Sequence, residues 1–314
     1  MNHNTFNRKI TPLSTVLIFF IISAISISIK SCSSIEEPLI PTLDIPEKYN
    51  EVGQLHNEAL EFAFERIKEQ AIESVKNPTI KRLFAEDDNY NEFVKQVTLD
   101  FCKQNIKLQK KMDFIEKFSE KEITTKIGRK SLTEEISPTL QKFFNEIELV
   151  FSKEFQKDEL IKLKTQLDII NKNAAETLSE EEAAIVFCGT STGYSSYQYW
   201  MNNNTKWIVA LNFPEILEQY NNDELNQLKI KNGNIVRMGW WSDLFDTVEG
   251  WWQAVANWWN DAGAEIILND IAGSVIGAGV GYLEGGDIDG VISAGIFFGA
   301  GASIATAIGY YFPN

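Results

Sequence analysis

Apolar residues recur every three or four positions through much of the chain, and that spacing predicts an all-α fold. Val52, Leu55, Ala59, Leu60, Ala63, Phe64, Ile67, Ala71 and Val75 share one helical face, which ends before Pro78. A second helix starts near Asn89 and keeps its phase through Tyr90, Phe93, Val94, Val97, Phe101, Leu108, Met112 and Ile115. Ser137 is placed to cap a third, with Pro138 in its first turn and Leu140, Phe143, Phe144, Ile147 and Phe151 on its apolar face. A fourth follows Asp158 through Leu160, Ile161, Leu163, Leu167 and Ile170. Ser179-Glu180-Glu181-Glu182 then matches a capping box ahead of residues 183–188. Lysine and glutamate fill the outer faces, so residues 51–188 are expected to form an antiparallel helical bundle.

From residue 189 the pattern changes. Tyr194, Tyr197, Tyr199 and Trp200 crowd together ahead of Asn202, Asn203 and Asn204, and residues 189–234 are expected to connect two parts of the chain. Residues 207–213 suit a buried turn of helix or a short strand equally well. Residues 235–314 predict a tryptophan-rich amphipathic helix followed by a glycine-rich helical hairpin. Trp240, Trp241, Trp251, Trp252, Trp258 and Trp259 supply the aromatic face, which suits either a membrane–water boundary or a cover for the hairpin.

Gly273, Gly277, Gly281 and Gly285 lie four apart in the first arm of that hairpin. In the second arm Gly295, Gly299, Ser303 and Ala307 repeat the interval, as do Gly301, Ala305 and Gly309. Residues four apart stack on one helical ridge, so each row leaves a groove into which a second backbone can press. As helices, residues 266–283 and 290–312 would be about 27 and about 34 Å long, enough to cross an apolar layer of about 30 Å. Asn269 and Asp270 interrupt the first arm. A row of glycines costs roughly 1 kcal/mol each in a helix, so close backbone contact is expected to offset it. This segment resembles the glycine zippers of two-peptide bacteriocins and of Bacteroidota proteins. The resemblance covers about fifty residues and implies close helix packing, by self-association or within one chain, rather than one activity.

At the other end, Arg8 and Lys9 precede an apolar run over residues 10–29, followed by Ile29-Lys30-Ser31-Cys32 and two serines. This resembles a bacterial lipoprotein signal peptide, with Lys30 where most such sequences carry a small or apolar residue. The resemblance implies that residues 1–31 are removed and that Cys32 carries an acyl chain such as palmitate. The other reading of the run is an uncleaved anchor helix. Residues 32–50 carry Pro38, Pro41 and Pro46 with Glu36, Glu37 and Asp44, the composition of an extended acidic tether. Acidic residues directly after the lipid cysteine resemble the surface-export signals of Bacteroidota lipoproteins. They imply a surface-exposed lipoprotein of the outer membrane.

Charge and rare residues narrow the chemistry. Loss of Arg8, Lys9 and Lys30 lowers the formal net charge from −15 to −18, which makes nucleic acid a poor partner. Gly189-Thr190-Ser191-Thr192-Gly193 matches the nucleophile elbow of serine hydrolases, but no histidine follows it to act as base. It reads instead as a helix end with a flexible turn. His56 is the one histidine beyond the leader, and it reads as a surface or boundary residue. Gly285-Gly286-Asp287-Ile288-Asp289-Gly290 lacks the ligands of a calcium loop and reads as a hairpin turn in which an aspartate caps the next helix. Cys102 and Cys188 are either one disulfide or two buried thiols.

The resulting expectation is a non-enzymatic cell-envelope lipoprotein without metal, cofactor or small-molecule substrate. Its partners would be membrane lipid, through Cys32 and the hairpin. The hairpin would serve a contact-dependent or bacteriocin-like toxicity, or lie buried in the core of a structural or adhesive protein.

Overall fold

The computed structural model describes residues 41–76, 87–119, 137–152, 159–212, 230–231, 234–235 and 263–311. Cys32, the tether before residue 41 and all six paired tryptophans lie outside these residues. The fold is all-α, as the apolar spacing predicts. Its helices are α1 (Glu47–Lys76), α2 (Asp87–Gln104), α3 (Ile106–Gln109), α4 (Met112–Ser119), α5 (Pro138–Phe151), α6 (Leu160–Thr177), α7 (Glu180–Asn212), α8 (Ala264–Leu283) and α9 (Ile288–Tyr311). Between α7 and α8, a two-residue ladder pairs β1 (Ile230–Lys231) antiparallel with β2 (Asn234–Ile235).

Local chemistry sets several of these boundaries. The Ser137 hydroxyl accepts the Leu140 amide at 3.1 Å, and Pro138 opens α5 where no amide donor is needed. Ser179 accepts the Glu182 amide at 3.2 Å, one half of the expected capping box. The other half is diverted: Glu182 Oε1 accepts the Ser137 hydroxyl at 2.6 Å, so two helix starts are tied together. The long second helix of the sequence reading is broken at Asn105. There the side chain caps α3 by accepting the Lys107 amide at 3.0 Å.

The α8–α9 hairpin lies at the centre. α1, α2, α4 and α7 pack against α9, while α5 and α7 pack against α8; α6 covers α7 from outside. Ile266, Ile271, Ile296, Phe297, Ile304 and Ile308 are nearly or fully buried there. The surrounding helices are amphipathic, so they turn apolar faces to the hairpin and charged faces outward. The hairpin is thus sheathed by the chain's own helices.

Two expectations are corrected. Residues 189–193 form no turn, because α7 continues through them without a break to Asn212. Their small side chains serve helix packing, and the period-3.6 pattern is hard to see where glycine, serine and threonine are the buried residues. His56 is neither on the surface nor at its boundary, being 0% exposed. It shares the buried stripe of α1 with Val52, Ala59 and Leu60, three or four residues away, and with Ala63, seven away.

Candidate functional site

The four-residue rows become a backbone contact between α8 and α9. A Cβ on Gly277 would lie 2.3 Å from the Ala294 carbonyl oxygen, and one on Gly273 would lie 2.6 Å from that of Phe298. Gly281 is less tight, with Val291 Cα at 3.1 Å. On the facing arm, Gly295 and Gly299 make room for Ser274, where an added Cβ would come within 3.2 Å in each case. Gly301 is buried. Gly285 and Gly309 take no part in this contact. Gly285 turns the chain with φ +76°, and a Cβ on Gly309 would meet nothing within 4 Å. The turn is closed as the sequence suggests: Asp287 Oδ1 accepts the Gly290 amide at 2.9 Å. Lys111 and Lys117 of the α3–α4 segment pair with Asp287 and Glu284 at 2.8 and 3.0 Å.

The second contact joins the hairpin to its sheath, and it is organised by residues 189–200 of α7. Gly189 and Gly193 lie against Val275 and Ile271 of α8, where a Cβ would come within 2.6 and 2.7 Å of those side chains. The Thr190 hydroxyl donates to Asn171 Oδ1 of α6 at 2.8 Å. Ser191 Oγ accepts the Gly53 amide of α1 at 3.1 Å, and the Thr192 hydroxyl donates to Ser274 Oγ at 3.0 Å. Every residue of the Gly-Thr-Ser-Thr-Gly run therefore packs one helix on another. Thr190→Val is expected to cost about 1–2 kcal/mol in urea unfolding, because the buried Asn171 oxygen loses its donor. A neutral result would remove Thr190 from this packing role.

At the middle of this contact sits a buried polar cluster. His56 of α1 and Asp270 of α8 are both 0% exposed, with Nε2 and Oδ2 3.6 Å apart. The Ser196 hydroxyl donates to Asp270 Oδ2, and the Trp200 indole donates to Ser303 Oγ of α9 at 3.3 Å. His56 Nδ1 lies 3.1 Å from Asn57 Oδ1. The Asn57 amide group donates to the Ser195 carbonyl at 3.0 Å, which fixes its oxygen towards the imidazole. His56 Nε2 and Asp270 Oδ1 have no partner within 3.5 Å, although the Gly299 backbone stands close to the imidazole and Ser303 and Trp200 close to the carboxyl. Burial pushes His56 down from 6.5 to about 4, against smaller opposing effects of Asn57 and the Gly299 backbone. Burial also pushes the Asp270 carboxyl well above the usual carboxylate range, opposed by Ser196, Ser303 and Trp200.

Serine, histidine and aspartate meet here, but not as a hydrolytic triad. That chemistry needs the histidine between the other two and the serine open to substrate. Here the carboxyl stands in the middle, and Ser196 is 0% exposed. The cluster instead joins α1, α7, α8 and α9 through buried polar groups, which are costly to leave unpaired. The sequence signals were available: His56 lies in phase with a buried stripe, and Asp270 is an acid within an apolar helix that needs a partner.

A third group fastens the far end of α7 to α1. Lys206, 3% exposed, pairs with Glu61 and sits 4.6 Å from the Phe64 ring centroid. Tyr199 donates to the same Glu61 at 3.1 Å and accepts the Trp207 indole at 2.9 Å. Cys102 and Cys188 are free and buried, and burial pushes both thiols up to about 12. Among the described residues, no cluster of three or more His, Cys, Asp or Glu side chains could hold a metal ion. No protein-family model matches the chain, nor does any curated protein or solved structure.

Proposed function

We propose that this chain is a non-enzymatic cell-envelope lipoprotein, anchored by an acyl chain at Cys32, with its glycine hairpin as the core of a water-soluble helical body. The body would be a structural or adhesive component of the cell surface, presenting the charged outer faces of the sheath. The observation that carries this reading is the burial of the hairpin: 67% of the apolar stretch of α8 and 89% of that of α9 are covered. Polar matching supports it further. Asp270, Ser274 and Ser303 of the hairpin meet Ser196, Thr192 and Trp200 of α7, ties that contact with lipid tails would leave unmade.

A second reading, a membrane-perturbing or bacteriocin-like hairpin, draws on its length and hydropathy. The apolar stretches run 19 and 22 residues with mean hydropathy 1.5 and 1.8, enough to span about 30 Å. To act this way the hairpin has to leave the sheath and give up those ties. The two readings separate in a Cys32→Ser protein expressed without residues 1–31. We expect it to be monodisperse without detergent, and to release no dye from vesicles of phosphatidylethanolamine and phosphatidylglycerol at neutral pH. Leakage, or a need for detergent, would transfer the assignment to the second reading. The double change Gly277→Leu and Gly281→Leu does not discriminate, because the same ridge packs α8 on α9 in either setting.

A further inference from the structure

We infer that His56 and Asp270 act as one unit that holds a single proton and latches the hairpin to its sheath. The geometry sets the two groups face to face, 3.6 Å apart and 0% exposed, where one proton for the pair is the least costly count. Asn57 turns its oxygen to Nδ1, because its amide group is committed to the Ser195 carbonyl, so Nδ1 is the imidazole's donor to Asn57. The other nitrogen, Nε2, faces Asp270 Oδ2 across 3.6 Å. Without a proton there, two lone pairs would oppose each other in a site closed to water. With two, the imidazolium would face a neutral acid and its charge would be buried uncompensated. One proton satisfies both sides, whether it rests on the carboxyl or on the imidazole.

The surroundings leave the pair alone with that proton. Around it stand Asn57 of α1, Ser196 and Trp200 of α7, and Gly299 and Ser303 of α9, and none of these titrates. The Lys206–Glu61 pair lies further along the α1–α7 contact, and Glu61 reaches it from the partly exposed side of α1.

The count of protons then fixes how the latch responds to pH. In the unfolded chain, between the ordinary values of 3.8 for Asp270 and 6.5 for His56, the aspartate is ionised and the histidine is charged. That is one proton, the number held by the folded pair, so folding binds and releases none in this window. The pair adds no pH dependence there. Above 6.5 the unfolded histidine loses its proton while the folded pair keeps its own, so the latch weakens as pH rises. It is therefore indifferent to mild acid and sensitive to alkali.

Breaking the pair exposes two opposite slopes. Asp270→Asn leaves a buried neutral imidazole whose folded value lies below 6.5. Its contribution is present above 6.5 and lost as pH falls towards 4, by up to tenfold in the folding constant per pH unit. His56→Gln leaves a buried carboxyl whose folded value is raised. Its contribution is present below 3.8 and lost as pH rises, with the opposite slope. The double variant Asp270→Asn with His56→Gln is expected to be flat again. Urea unfolding from pH 4.5 to 8 reads all four proteins. In the Cys32→Ser protein without residues 1–31, His56 supplies the one imidazole signal in a proton-detected titration. That signal is expected not to move between pH 4.5 and 6.5. A midpoint near 6.5, or two single variants whose profiles parallel the parent, would overturn the inference.

Discussion

Replacing Gly277 by alanine is expected to destabilise the protein by about 2–3 kcal/mol, although alanine is the better helix former. In an open helix the change would gain roughly 1 kcal/mol. Here the added Cβ would stand 2.3 Å from the Ala294 carbonyl oxygen and 2.8 Å from its carbonyl carbon. Both are backbone atoms of α9, so no side chain can rotate away, and the two helices have to separate along their length. Separation loosens the ridge at Gly273, where the Phe298 carbonyl is the close neighbour. Overpacking of this kind costs more than the propensity returns. The control is Gly309→Ala, where nothing lies within 4 Å and a gain of up to roughly 1 kcal/mol is expected. Gly281→Ala belongs between them, since Val291 Cα and Ala294 Cβ stand at 3.1 and 3.3 Å and a shift of a few tenths of an ångström admits the methyl. Urea unfolding of the three variants gives the order. If Gly277→Ala were as stable as Gly309→Ala, the close approach of α8 and α9 would be wrong.

That ordering also marks where the sequence was informative and where it was silent. Four-residue spacing identified the ridge at Gly273, Gly277 and Gly281, because repetition of small residues on one helical face has few other uses. It did not separate these from Gly285, which follows in the same register but takes φ +76° in the turn. Amphipathic spacing located α1, α5 and α6, and cap chemistry placed the start of α5 within a residue. The apolar code failed along residues 189–204, where the buried face consists of glycine, hydroxyl and aromatic residues instead of aliphatic ones. Thr190, Ser191, Thr192 and Ser196 are nearly or fully buried, each hydrogen-bonded to another helix. Hydrophobicity gives no sign of such a face. His56 departs from expectation for a related reason: a lone histidine is ordinarily solvated, and its partner Asp270 is distant in sequence. A single sequence does not announce that two polar residues on separate helices will satisfy each other.

Removal of residues 264–314 is expected to abolish cooperative folding of everything before them. If the hairpin were an appended module, α1 to α7 would keep their contacts and melt as before. The packing argues otherwise. α1, α2, α4, α5 and α7 each lie directly against α8 or α9, and α1 and α7 also pack extensively on each other. Ile266, Ile271, Ile296, Phe297, Ile304 and Ile308 would leave with the hairpin, all nearly or fully buried. At about 1.5–3 kcal/mol for each large apolar side chain, they alone represent on the order of 10 kcal/mol. That is comparable to the entire net stability of a domain, about 5–15 kcal/mol. The truncated chain would also strand polar partners: His56 would lose Asp270, Thr192 would lose Ser274, and the Trp200 indole would lose Ser303. Gly189 and Gly193 would line an empty groove where Val275 and Ile271 had been. Isolated amphipathic helices of this length are marginal in water without such partners. Circular dichroism is therefore expected to follow a broad, shallow loss of helix on heating, and size exclusion to report an expanded or associated species. A sharp transition in the truncated chain at the temperature of the full one would mean that the sheath has a core of its own, and the hairpin would no longer be what holds these helices together.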